Sequence, residues 1–198
     1  MRKIYEKEYS HFFGKRNLNL GSAANLGKGK TWVNMDMNPK TGAEVIHDAV
    51  NIPWPFESDS FDCVLASHFF EHVEKKMFFP IMNEVHRILK VGGYMLAMTP
   101  HGGSDDSWEN PMHLMNFSQH TWLYLFPVCY RKETLGSGAD QGMELRPWTL
   151  KNIILIPYPE FRNDKDLDWK VKHYRNVIQE IHCILRKKGG IDEQRIKN

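Results

Sequence analysis

The chain has 198 residues, 41% of them hydrophobic and 25% charged. That fits one globular domain and excludes a disordered chain. Twenty-six basic and 24 acidic residues leave a net charge of +2, too small for an electrostatic nucleic-acid footprint. No apolar run approaches the roughly 18–20 residues of a membrane-spanning helix, and no apolar signal stretch follows Arg2 and Lys3. Cys63, Cys129 and Cys183 are scattered and form no CxxC pair. A reducing, cytoplasmic setting is therefore expected.

Residues 1–16 mix Tyr5, Tyr9, His11, Phe12 and Phe13 with Lys and Glu, which suggests a short helix over a sheet face. Short apolar runs follow. The run at 17–20 stops at Gly21, 31–35 at Asp36, 44–46 at His47-Asp48, 61–66 at Ser67-His68, and 94–98 at Thr99-Pro100. Several are continuous rather than alternating, as in strands buried on both faces of a parallel sheet.

Between the fourth and fifth runs, Met77, Ile81, Val85, Ile88 and Leu89 make one apolar face at helical spacing. Glu84 and Arg87 fall on the other side. Pro80 is tolerated only in the first turn, so the helix should start near Phe78 or later. Gly92 and Gly93 after Lys90 read as its stop.

Residues 118–125 suggest a short helix with Ser118 as N-cap. Residues 131–147 carry three glycines and read as a loop. Residues 150–156 read as a strand and 163–170 as a charged connector. Residues 176–185 fit a helix through Val177, Ile181, Ile184 and Leu185. They equally fit a strand face through Val177, Ile181, Cys183 and Leu185. The tail after Lys188 is polar.

Strands alternating with helical or loop segments predict an α/β sheet. Ligands of open α/β sheets bind beyond the carboxyl ends of the strands. The residues there are Gly21-Ser22-Ala23, Asp36, Asp48, Ser67-His68 and Pro100-His101. A glycine after the first strand permits close backbone approach to a ligand. An acid after the second can accept both hydroxyls of a ribose. Gly21 and Asp36 are only 15 apart, short of the roughly 20 of dinucleotide folds. The intervening stretch around Gly27 and Gly29 leaves no room for a long helix, so the first crossover is truncated. GxGxxG is absent, which counts against NAD or FAD.

This series resembles the class I S-adenosylmethionine-dependent methyltransferases, in the small type 11 group with a short first crossover. Leu18-Asn19-Leu20-Gly21 resembles the first motif and Asn34-Met35-Asp36 the end of the second strand. His47-Asp48, Ile52-Pro53-Trp54-Pro55-Phe56 and Asp59-Ser60-Phe61-Asp62 resemble the third strand, its loop and the approach to the fourth. Ala66-Ser67-His68 with Glu71-His72-Val73 resembles the turn after the fourth. Residues 84–93 resemble the helix and turn into the fifth, and Pro111-Met112-His113 with Phe117-Ser118 a later segment. The resemblance covers 17–126 well and continues more weakly to Lys188. Asn19 stands where the family usually has an acid, and Ala23 and Asn25 where it has glycines.

The resemblance implies a Rossmann-like fold: a mostly parallel seven-stranded sheet with an antiparallel C-terminal strand. It implies one domain over 1–198, with a lead at 1–16, a cofactor half at 17–100 and an acceptor half at 101–198. The implied cofactor is S-adenosylmethionine, held by Asn19, Gly21, Ser22, Asp36, Met37, Asp48, Ala49, Ser67 and His68. Gly21 would approach its methionine part, Asp36 its ribose, and Asp48 with the Ala49 backbone its adenine. Each also has a plain reading as a turn or cap residue. His68, His101 and His113 are the catalytic candidates. His68 is either a general base or a strand-end cap. Glu71 with His72 suits a helix start. Trp122, Tyr124 and Phe126 read as core.

No HExxH and no zinc-finger pair is present, and Glu71 is not at the zincin position between His68 and His72, so no metal is expected. The function implied is methyl transfer to a small-molecule acceptor such as a sugar or related metabolite. The alternative is a catalytically degenerate binding or regulatory protein. A nucleic-acid methyltransferase fits less well, because Ser67-His68-Phe69-Phe70 stands where an Asn-Pro-Pro-Tyr-like motif would. The sequence leaves the oligomeric state open.

Overall fold

The structure is a computed structural model and describes residues 8–126 and 146–189. Its strands are β1 (Asn17–Leu20), β2 (Trp32–Asp36), β3 (Val45–Ile46), β4 (Phe61–Ser67), β5 (Leu89–Pro100), β6 (Trp148–Pro157) and β7 (Ile178–Lys187). They form one sheet in the order β3-β2-β1-β4-β5-β7-β6. The pairs from β3 to β5 are parallel. Strand β7 runs antiparallel to both β5 and β6. The order reverses beside β1, so the ends of β1 and β4 flank a topological switch point, the usual ligand crevice of such sheets.

All four residues of β1 are buried between β2 and β4, the polar Asn17 and Asn19 included. The segment readable as helix or strand is β7. Its neighbours decide it: β5 and β6 offer hydrogen-bonding edges on both sides. The first crossover contains no helix, as its length requires.

The helix α1 (Phe78–Ile88) starts with Pro80 in its first turn and buries Phe78, Ile81, Met82, Val85 and Ile88. Two details differ from the sequence reading. Glu84 is buried rather than solvent-facing: it accepts from the Trp54 amide at 2.7 Å and pairs with Arg87 at 2.6 Å. Leu89 is not helical but opens β5 opposite Phe61. The chain has already left the helix, so Gly92, at φ +83°, serves a register shift within β5 instead of a helix stop.

The charged connector is in part a short helix, α2 (Leu167–His173). Ser118 does not cap by its side chain. A 3-10 turn spans Thr121–Leu125, and the Ser118 amide instead donates to Thr121 Oγ1 at 3.0 Å. Most of the glycine-bearing loop, and Cys129, lie outside the described residues.

Two apolar clusters face opposite sides of the sheet. The larger contains α1 and the rings of Phe70, Phe78, Phe117 and Trp122. Trp122 and Phe126 are therefore core, whereas Tyr124 is only half-buried. The smaller joins Cys63, Leu96, Met98 and Ile184 to Tyr9, with Phe12 and Phe13 beside it. The lead segment thus covers a sheet face. Among the described residues no helix is long and apolar enough to cross a membrane.

Candidate active site

Asp36 closes β2, and two backbone amides fix its carboxylate. Ala23 N–H donates to Oδ2 at 2.7 Å and Asn38 N–H to Oδ1 at 2.9 Å. Each oxygen keeps a further lone pair. The carboxylate is aimed before any ligand arrives.

The other strand-end residues divide between ligand-ready and internally engaged groups. Asn19 is buried and donates to Asn25 O at 3.0 Å and Asn34 Oδ1 at 2.8 Å, tying the truncated crossover back onto β1 and β2. Its Oδ1 is buried without a partner. Gly21 sits at φ +62°, and a Cβ there would lie 2.5 Å from the Phe69 ring. Its missing side chain makes room for Phe69, a neighbour the sequence reading did not pick out. Ser22 is fully buried, its amide donating to Met35 O at 3.1 Å.

Asp48 Oδ1 accepts from Val50 N–H at 3.1 Å, an Asx turn, and Ala49 O accepts from Trp54 Nε1 at 2.9 Å. Met37, Val50 and Ile52 are exposed apolar residues following β2 and β3.

Ser67 ends β4 and His68 follows in the left-handed region at φ +53°, its amide donating to Met98 O at 2.9 Å. The imidazole lies between two buried carboxylates. Nδ1 is 3.1 Å from Glu71 Oε1 and Nε2 is 3.5 Å from Glu180 Oε1. Glu180 Oε2 meets His182 Nε2 at 3.0 Å, and His182 Nδ1 meets the Tyr9 hydroxyl at 2.7 Å. Contact with Glu180, then Glu71, outweighs burial and raises the His68 pKa to about 10.

His68 is therefore an imidazolium at neutral pH. It has no lone pair to take a proton unless it leaves both carboxylates. Sequence distance hid Glu180, His182 and Tyr9 from the site. The signal available was an acid and a histidine interleaved with Ile178, Ile181, Cys183 and Ile184.

The protonation state has a direct test. A pKa raised above the unfolded value of about 6.5 gives a charged contact that is complete below that pH and lost as pH rises through about 10. The expected result is a His68 ring that stays doubly protonated at pH 8 by nitrogen-detected NMR, and titrates lower in Glu180→Gln. Titration near 6.5 in the unsubstituted protein would refute it.

Beyond β5, His101 is half-buried. Its Nδ1 accepts from Gly103 N–H at 3.0 Å, and burial holds its pKa below the usual value. Gly102, Gly103, Trp108 and Arg175 line an open cleft of about 450 Å³ beside it. His113 is elsewhere, its ring 4.9 Å from that of His72. The structure thus brings His113 to the Glu71–His72 turn, and places His101 beside the cleft.

Residues 22–97 match the model of the methyltransferase domain family. No curated protein matches the chain. Among solved structures, an S-adenosylmethionine-dependent methyltransferase from Archaeoglobus fulgidus aligns with a TM-score of 0.65 at 16% identity, covering 94% of this chain and 93% of its own. A Listeria monocytogenes protein described as a candidate enzyme of the same kind aligns at 0.58 and 13% identity, covering 94% and 96%. The [4+2]-cyclase SpnF aligns at 0.57 and 13%, covering 95% and 80%. The matched segment carries a likeness to the methyltransferase domain family, and the solved structures show that the chain has the fold of S-adenosylmethionine-dependent methyltransferases. S-adenosylmethionine is the cofactor this likeness indicates.

Proposed function

We propose that the chain binds S-adenosylmethionine at the ends of β1 to β4 and transfers its methyl group to a small polar acceptor, such as a sugar or related metabolite. The observation that carries this reading is the Asp36 carboxylate, held by two amides with a lone pair left on each oxygen. That arrangement fits two adjacent ribose hydroxyls. The unpartnered Asn19 Oδ1 fits the ammonium of the methionine part. Asp48 and the exposed Met37, Val50 and Ile52 fit adenine, with hydrogen bonding at its edge and apolar cover on its faces. Residues 17–100 would serve the cofactor and 101–198 the acceptor.

Bound S-adenosylmethionine supplies an electrophilic methyl group. The protein's task is then to position the acceptor for in-line attack, and positioning alone can contribute roughly 7–11 kcal/mol. The cleft beside His101 has the volume of a small-ligand site, and Trp108 with Arg175 on its wall suits a polar ring or acid. With His68 held as a cation between Glu71 and Glu180, the acceptor atom must be nucleophilic without a proton being taken by His68. A carboxylate meets that condition, as does a hydroxyl deprotonated elsewhere.

A second reading is binding without methyl transfer, supported by Asn19 at the first motif and by the engaged ring of His68. A cytoplasmic setting agrees with the buried thiols of Cys63 and Cys183, both outside any disulfide. Calorimetry with S-adenosylmethionine and S-adenosylhomocysteine is the test. Micromolar binding, followed by S-adenosylhomocysteine release with an acceptor from a sugar and sugar-acid panel, is the expected result. A folded protein that binds neither nucleoside overturns the cofactor reading. Binding without turnover on any acceptor favours the second.

A further inference from the structure

We propose that Glu71, His72 and His113 form a site for a first-row divalent metal ion of the zinc type. One ligand atom from each lies within 4.8 Å of the others. Glu71 and His72 come from a 3-10 turn at Phe70–His72. His113 comes from the segment after β5. That segment is clamped to the turn, because Leu114 and Met115 amides both donate to Glu71 O, at 2.7 and 3.1 Å.

Three observations go beyond proximity. Glu71 is 1% exposed, and its Oε2 is buried with no partner. A buried, unpaired carboxylate oxygen is costly, and a cation would relieve that cost. Next, His72 Nδ1 faces Met112 O at 3.2 Å and His113 Nδ1 faces Ser107 O at 3.2 Å. A carbonyl can only accept, so each Nδ1 carries the proton and each Nε2 holds the lone pair. Histidine ligands of metals are oriented in this way, with the second nitrogen donating to a carbonyl or carboxylate. Finally, Oε1 of Glu71 is already engaged by His68 at 3.1 Å, leaving Oε2 as the oxygen for an ion.

Two histidines and one glutamate are a donor set of metal centres that keep open positions. Tetrahedral bonds of about 2.1 Å imply ligand atoms about 3.4 Å apart, so the three groups must draw inward on binding. His72 is exposed and can do so. The open positions would take water or another oxygen ligand, and metal binding does not depend on the methyl-transfer reading.

The test strips the full chain with a chelator and titrates it with Zn²⁺, and with Co²⁺ as a spectroscopic reporter. The expected result is one equivalent bound, with visible Co²⁺ bands, and at least 100-fold weaker binding in His72→Ala and in His113→Ala. Both changes are away from the fully buried core, and circular dichroism checks the fold. Zn²⁺ should raise the unfolding temperature of the unsubstituted protein only. No binding, or equal affinity in the unsubstituted protein and both variants, overturns the site. S-adenosylhomocysteine titration of the same samples reports separately on the cofactor.

Discussion

Asp36→Ala is expected to weaken S-adenosylmethionine binding by about 10²–10⁴-fold. Hydrogen bonds to a charged group contribute roughly 1.5–3 kcal/mol each, and two ribose hydroxyls would be lost together. At about 1.4 kcal/mol per tenfold, even the low end of that range reaches about 10². The substitution also releases the Ala23 and Asn38 amides, and Ala23 lies at φ +46°, so the turn after β1 loses its anchor. Asp36→Asn separates these effects. It keeps the size and one accepting oxygen but sets an NH₂ group against one of the amides. Its affinity should fall between the two. Calorimetric titration of the three proteins is the measurement. Unchanged affinity in a folded Asp36→Ala protein would remove the ribose assignment.

Phe78→Ala is expected to cost about 3–5 kcal/mol of stability, the range for truncating a buried aromatic. The Phe78 ring lies 5.7 Å from Phe70, 5.8 Å from Trp122 and 5.9 Å from Phe117. Phe117 in turn stacks on Trp122 at 5.2 Å. Four separate stretches of chain meet there: the turn bearing Glu71 and His72, α1, the segment after β5, and the turn at 121–125. Removing one ring leaves a cavity that rigid neighbours cannot close. Urea unfolding should show a lower midpoint at unchanged slope. A loss below about 1 kcal/mol would mean that the neighbours collapse into the space.

Much of the sheet was legible because local and tertiary preferences agree. The short runs that stop at Gly21, Asp36 and Ser67 each end at a turn or polar residue, and they are strands β1, β2 and β4. Seven strands with antiparallel β7 followed from the resemblance, not from periodicity. Strand β7 shows why: its apolar positions satisfy two periods, and only the edges of β5 and β6 choose between them. Glu84 was misplaced for a related reason. Helical spacing puts it off the apolar stripe, but the loop at Trp54 supplies an amide that draws its carboxylate inward.

The candidate site was legible as a set of strand-end residues and opaque as a set of partners. Asp36 follows from position alone. The Glu180 beside His68, the Phe69 over Gly21 and the His113 beside His72 depend on how distant segments fold together. Spacing carries no record of that. The protonation of His68 is the clearest case. Taken alone it is a residue suited to accept a proton near neutral pH, and two carboxylates reverse that property.

The line from the Tyr9 hydroxyl through His182 and Glu180 to His68 also bears on how the protein should be handled. Tyr9 belongs to a lead that looks expendable, yet it shields Cys63, Leu96, Met98 and Ile184 and completes the surroundings of His182. Trimming this lead, or burdening it with a bulky fusion, would bare an oily patch and loosen the far end of that line.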